Sequence, residues 1–163
     1  MSNAHISNQE AVETVRDLIK DIDTAMFTTL TPEGIVSRPM KTQEVEFDGD
    51  LWFITKKETN KYQELLQNSK VNIAYVDKSY VSLRGEAELI QDPAKVKEFW
   101  NVAYEKLLDV SYDDPSLVLI KVKAETAEYW EAGKKIKLVK HLFQKMTGKE
   151  SEDAELNNTV ELN

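Results

Sequence analysis

Hydrophobic positions recur at two different spacings along this chain, and the switches between them mark out its elements. Val12, Val15, Leu18, Ile19 and Ile22 fall three or four apart with charges between them, which predicts a helix over 9–22. The spacing then changes. Residues 25–30 (AMFTTL) read as a strand, and Thr31-Pro32-Glu33-Gly34 as a turn in which proline presets φ. A second strand is expected from Ile35 towards Phe47, interrupted near Pro39 because proline cannot donate to a ladder. Asp48-Gly49-Asp50 is a hairpin signal leading into a third, strongly apolar strand over 51–55.

A short helix should start at Thr59 or Asn60, either able to cap it, and bury Tyr62, Leu65 and Leu66. Val71, Ile73 and Tyr75 alternate with Asn72 and Ala74, the pattern of another strand. Val81, Leu83, Gly85, Ala87 and Leu89 then take one face of a long strand, and Ser82, Arg84, Glu86 and Glu88 the other. Gly85 in its middle implies a bend or a close backbone approach. Asp92-Pro93 opens a helix with Val96, Phe99, Trp100, Ala103 and Leu107 as its apolar stripe. Asp113-Asp114-Pro115 is a turn, and two further strands follow over 117–122 and 126–130. Residues 134–146 read as an amphipathic helix whose lysines form a solvated face, and after Gly148 the tail is acidic and polar, expected to be disordered. Hairpin-connected strands dominate. The expected fold is mainly β (α+β), an antiparallel sheet curled into a small barrel capped by helices. It makes one domain over 1–148 with a tail over 149–163.

Composition narrows the chemistry. The 163 residues carry 21 basic and 29 acidic side chains, a net charge of −8, which argues against nucleic acid or an anionic membrane as a partner. There is no cysteine and there are only two histidines, His5 and His141, so thiolate and multi-histidine metal centres are excluded. No apolar run approaches the ~18 residues of a membrane span. A soluble protein of the reducing cytoplasm is expected.

One local concentration of positive charge stands against the acidic whole. Arg38 lies in the second strand, and Thr55, Thr59, Asn60 and Lys61 lie at the junction of the third strand with its helix. A guanidinium, an ammonium, hydroxyls and free N–H groups at a helix start suit a phosphomonoester dianion, provided the second and third strands are neighbours, as hairpin pairing would make them. Taken singly, each basic residue reads as a solvated surface charge. Trp52 reads equally as core packing or as site material, Trp100 on its helix stripe reads mainly as core packing, and Ser82 and Arg84 read equally as site-lining or solvent-facing.

The stretches SRPMK, LWFITKKETNKYQEL, YVSLRGEAELIQD, EFW and DDPSLVLIKVKAETAEYWE, in that order, resemble the pyridoxamine-5′-phosphate-oxidase-like FMN-binding split barrels, and more narrowly their general stress protein 26 branch. The resemblance implies a six-stranded split barrel, a homodimer and FMN at the dimer interface. It assigns the FMN phosphate to Arg38, Lys61, Thr55 and Thr59, and places Pro39, Met40, Phe53 and Ile54 beside the isoalloxazine ring. Trp130 would close over the flavin of a partner subunit. The function implied is a stress-related flavin-dependent oxidoreductase of unknown substrate. A non-catalytic flavin carrier or sensor, or a barrel holding a deazaflavin or haem, is the alternative. After Trp130 the chain reads GKKIKLVKHLF, without the arginine-bearing segment that true pyridoxamine-5′-phosphate oxidases use on substrate, so oxidation of that vitamer is not expected. No catalytic acid or base is identifiable.

Overall fold

A computed structural model describes residues 8–42, 47–130 and 157–162 of the chain. The helix expected over 134–146 lies outside the described residues. Helix α1 (Asn8–Ile19) ends one turn earlier than its apolar spacing suggests, and Ile22 follows in a turn whose N–H bonds to the Ile19 carbonyl. Six strands then build one antiparallel sheet: β1 (Thr24–Thr31), β2 (Gly34–Lys41), β3 (Asp50–Lys56), β4 (Lys70–Val76), β5 (Tyr80–Ile90) and β6 (Leu117–Trp130). Between them come α2 (Asn60–Gln67), α3 (Pro93–Phe99) and α4 (Val102–Leu108), and a last strand, β7 (Asn157–Glu161), follows β6.

The order across the sheet is β2-β1-β4-β5-β6-β3. Alternate side chains point inward, so Ala25, Phe27, Ile73, Tyr75, Val81, Leu83, Phe53, Ile120 and Val122 meet in one core, with α1 closing it through Ala11 and Val15. Phe27 and Phe53 meet edge to face with ring centroids 5.2 Å apart. A second cluster, on the outer side of β3 and β6, buries Ile54, Leu117 and Leu119 under Val96 of α3 and Tyr104 of α4. Among the described residues no helix is long and apolar enough to cross a membrane.

The second strand, expected to break near Pro39, runs unbroken through it and ends at Lys41, and five further expectations need correction. The second and third strands do not form a hairpin: β2 pairs with β1, β3 pairs with β6, and the two stand at opposite ends of the sheet. Gly49 does turn, with φ of +114°, but its carbonyl accepts from Ala124 N–H, so it feeds β3 into the β6 ladder instead. The helix expected after Asp92 is two helices. Trp100 and Asn101 are both extended, and the Asn101 side chain accepts from Ala103 N–H, a local bond that competes with helix continuation and leaves Ala103 and Leu107 exposed. Leu66 of α2 is likewise exposed, because α2 rests on the sheet through Leu65 alone of the two.

The strands expected over 117–122 and 126–130 are one strand of 14 residues. The inward series Ile120, Val122, Ala124, Ala127 runs on past exposed Lys123 and Glu125. The shift in that series is a bulge: Arg84 faces Thr126 and Gly85 faces Ala124, which leaves Glu125 without a partner on β5. Its carbonyl instead accepts from Leu162 N–H at 2.8 Å. The fifth correction follows from that bond. Part of the tail expected to be disordered is ordered, since β7 pairs with Thr126–Trp130 and Leu162 enters the core.

Gly85 is the residue the bulge depends on. A Cβ there would stand 2.2 Å from the Lys123 carbonyl oxygen, backbone that cannot move without breaking the ladder. Gly85→Ala should therefore cost at least the ~1–3 kcal/mol typical of overpacking. Urea unfolding checks this, and an unchanged midpoint would mean the two strands are not so closely apposed.

Candidate functional site

β2 carries Arg38 and Met40 on its inward face, because they alternate with exposed Ser37 and Pro39. The sheet opens here: among the described residues β2 has no strand beyond it, and the start of α2 covers the interior polar side chains near the opening. Three of these form a closed network. Arg38 Nη2 donates to Glu64 Oε2 at 2.7 Å, and both terminal guanidinium nitrogens donate to buried Thr29 Oγ1 at 3.1 Å. Thr29 in turn donates to Glu64 Oε2 at 2.9 Å. The ion pair is four-fifths shielded from solvent, so it is worth more than a surface pair.

Lys61 sits on the same turn of α2 in a different state. Its Nζ donates to Met40 Sδ at 2.9 Å, a weak acceptor, and no carboxylate lies in salt-bridge range among the described residues. Burial and the adjacent Arg38 charge lower its pKa from 10.5 to about 8, against a smaller opposing pull from Glu64. Hydroxyls lie close along the chain. Thr55 and Thr59 Oγ1 atoms are 3.2 Å apart, Thr59 caps α2 by accepting from Tyr62 N–H, and its own hydroxyl donates to the Lys56 carbonyl. The α2 start thus gathers Arg38, Met40, Thr55, Thr59 and Lys61 into one region, although β2 and β3 are not paired.

Phe53 is fully buried beside Phe27, and Ile54 packs into the outer cluster, so neither side chain is open to a ligand. Trp52 points away from Phe53, as alternation requires. It packs on Phe99 with centroids 5.4 Å apart, under Lys95 Nζ at 4.1 Å. Trp100 stacks on Tyr104, its buried indole N–H unpartnered among the described residues. Ser82 and Arg84 are engaged on the outer sheet face, with Asn72 and Thr126 respectively. Trp130 is not brought to the site. It lies twelve residues along β6 from Val118, the partner of Thr55, or roughly 40 Å of strand. Sequence reasoning missed Thr29 and Glu64. The Glu64 signal was its place one turn after Lys61 on the α2 face that meets β1.

A separate cavity of about 530 Å³ opens where α1 ends, lined by Ile19, Phe47, Leu51, Trp52 and Tyr75 beneath a rim of acidic and basic side chains. It touches the start of β3 and includes none of Thr55, Thr59 or Lys61. Burial pushes the Tyr75 hydroxyl pKa well up.

Residues 10–153 match the family described as "Pyridoxamine 5′-phosphate oxidase like", and the chain belongs to that family. It matches none of the curated proteins. Among solved structures it is similar to the General Stress Protein 26 of Bacillus anthracis str. Sterne: identity is 24%, the match covers 73% of this chain and 92% of that one, and the TM-score is 0.66. A protein related to general stress protein 26 from Clostridium acetobutylicum is 19% identical over 96% of this chain and 97% of its own, with a TM-score of 0.69. A general stress FMN/FAD binding protein from Xanthomonas citri is 26% identical over 76% and 89%, with a TM-score of 0.65.

The two cations should behave oppositely on removal. Arg38→Ala strands the shielded Glu64 carboxylate and should cost about 1.5–3 kcal/mol. Lys61→Met removes a poorly paired ammonium and should stabilise the ligand-free protein at pH 7. Because folding lowers the Lys61 pKa, the unfolded chain retains a proton the folded chain has lost between about pH 8 and 10.5. Lys61 therefore adds stability as pH rises through that window, and the advantage of Lys61→Met should shrink. Chemical denaturation of both variants at pH 7 and pH 10 measures it; equal destabilisation by the two would contradict the assignment.

Proposed function

We propose that this chain binds FMN, its phosphate held at the start of α2, and acts as a flavin-dependent oxidoreductase of the stress-related kind. Lys61 carries the reading. A shielded ammonium that, among the described residues, is held by a thioether alone is incomplete, and a phosphate dianion would complete it. The Thr55 and Thr59 hydroxyls and the first N–H groups of α2 would supply further donors. Arg38 is mostly spent on Glu64 and Thr29, so it supports the site by fixing α2 and adding positive potential. The Xanthomonas citri neighbour, described as an FMN/FAD binding protein, supports a flavin.

Bound flavin would supply the hydride or electron transfer. The chain's own part is to bind and orient it. Pro39 offers an exposed side chain on the outer face of β2, while buried Met40, Phe53 and Ile54 can contribute backbone only. The Glu64 carboxylate is already paired with Arg38, so it is not free to act as an acid or base there. Turnover of NADH or NADPH with bound FMN separates an oxidoreductase from a flavin carrier.

The proposal includes a homodimer. The outer face of β1 and β2 exposes Leu30 opposite Ile35 and, beyond the polar Thr28–Ser37 pair, Met26 opposite Pro39, apolar positions that a second copy would cover. Pro39 and Trp130 also share that outer face, four strands apart, so Trp130 can reach a flavin only on another subunit. Light scattering should give about twice the 18.7 kDa chain mass, and a monomer at micromolar concentration would defeat this part.

Flavin fluorescence titration tests the phosphate site. Lys61→Ala should weaken FMN binding by roughly ten- to a hundredfold, the value of one charge-assisted hydrogen bond, and leave riboflavin nearly unchanged. FMN affinity should also fall as pH rises above about 8, where free Lys61 loses its proton, while riboflavin affinity stays level. Equal losses for both flavins would place the phosphate elsewhere.

A further inference from the structure

We propose that Lys61 is a nucleophilic lysine, an amine placed to form an imine with a small anionic aldehyde. The inference does not depend on flavin binding. An ordinary lysine is unreactive near neutrality because its nitrogen lone pair is held by a proton, which a carboxylate partner or bulk water stabilises. Among the described residues, Lys61 has neither in full. It is half-buried, its hydrogen bond goes to Met40 Sδ, and Glu64, the nearest acidic side chain on its own helix, is turned to Arg38 and Thr29. The Arg38 guanidinium adds a fixed like charge from β2. A neighbouring cation and a desolvated stem are the two devices by which proteins free an amine for attack, and both act here to bring the pKa to about 8. At pH 7.5 this gives on the order of a hundredfold more free amine than an exposed lysine has.

The same surroundings select the reactant. Guanidinium and ammonium together favour an anion, while the unprotonated amine attacks a carbonyl carbon. The amine lone pair forms the C–N bond, its proton passes through solvent to the carbonyl oxygen, and the carbinolamine loses water to give the imine. Nothing is oxidised or reduced. An anion bound without reaction keeps Lys61 protonated, so anion binding and imine formation exclude one another.

Glyoxylate is a suitable probe. The whole chain is incubated with it at pH 7.5, trapped with cyanoborohydride at low conversion, and mapped by peptide mass spectrometry for carboxymethyl-lysine. Among the 18 lysines, Lys61 should label at least tenfold faster than exposed Lys20 or Lys70. Inorganic phosphate should slow that labelling, and Lys61→Arg should remove it without raising the others. Labelling spread over the lysines according to exposure would overturn the proposal. Equal selectivity with acetaldehyde, which has no charge, would overturn its anionic part. If glyoxylate selects Lys61 but FMN does not protect it, the amine assignment stands and the FMN-phosphate reading falls.

Discussion

The tie between Arg38, Glu64 and Thr29 is the interaction on which the rest of this architecture depends. A fully closed barrel is held by its ladders, but here β2 and β3 end the sheet without pairing. Something must fix α2, which follows β3, to the strands on the far side of the opening. Leu65 supplies apolar contact, and the shared Glu64 oxygen supplies direction: it accepts from a β2 guanidinium and a β1 hydroxyl at once. Because the group is shielded, a loose geometry would leave a charge unmet, so the tie tolerates little play.

That tie also divides labour between two cations that look alike in the sequence. Arg38 spends its charge on structure, as a planar fork suits. Lys61, three residues before Glu64, is left with a sulfur atom. Among the described residues, an ion pair for one and none for the other is what leaves Lys61 the unsatisfied cation of an otherwise acidic protein's local basic patch. Chemistry concentrates where the fold has not already used the charge.

Much of the fold was legible because burial follows period. The alternation in β5 and the caps at Thr59 and Asp92 are local, and the structure keeps them. What was illegible is non-local. Asp48-Gly49-Asp50 carries a turn signal, but nothing in it says that β3 pairs with β6, about 70 residues on. The continuity of β6 was hidden because exposed Lys123 and Glu125 interrupt its apolar run, while the inward alternation continues past them with a one-residue shift at the bulge. The site was half legible: Arg38, Thr55, Thr59 and Lys61 do come together near the start of α2, but not by the expected route. The helix does it, not a hairpin. That Arg38 is already paired depends on Thr29 and Glu64 meeting across the opening, which spacing along the chain does not reveal.

Pro39 has a consequence at the free edge of the sheet. An unpaired strand offers a row of backbone donors and acceptors on which another chain can stack, the usual route to uncontrolled β-aggregation. The register with β1 runs unbroken through Pro39 opposite Met26, so the missing N–H falls on the open side. With exposed Ile35 and Val36 on the same strand, an intact row would be a hazard. The gap means that copies of this chain can meet through β2 side chains but cannot zip their backbones into a fibre along it.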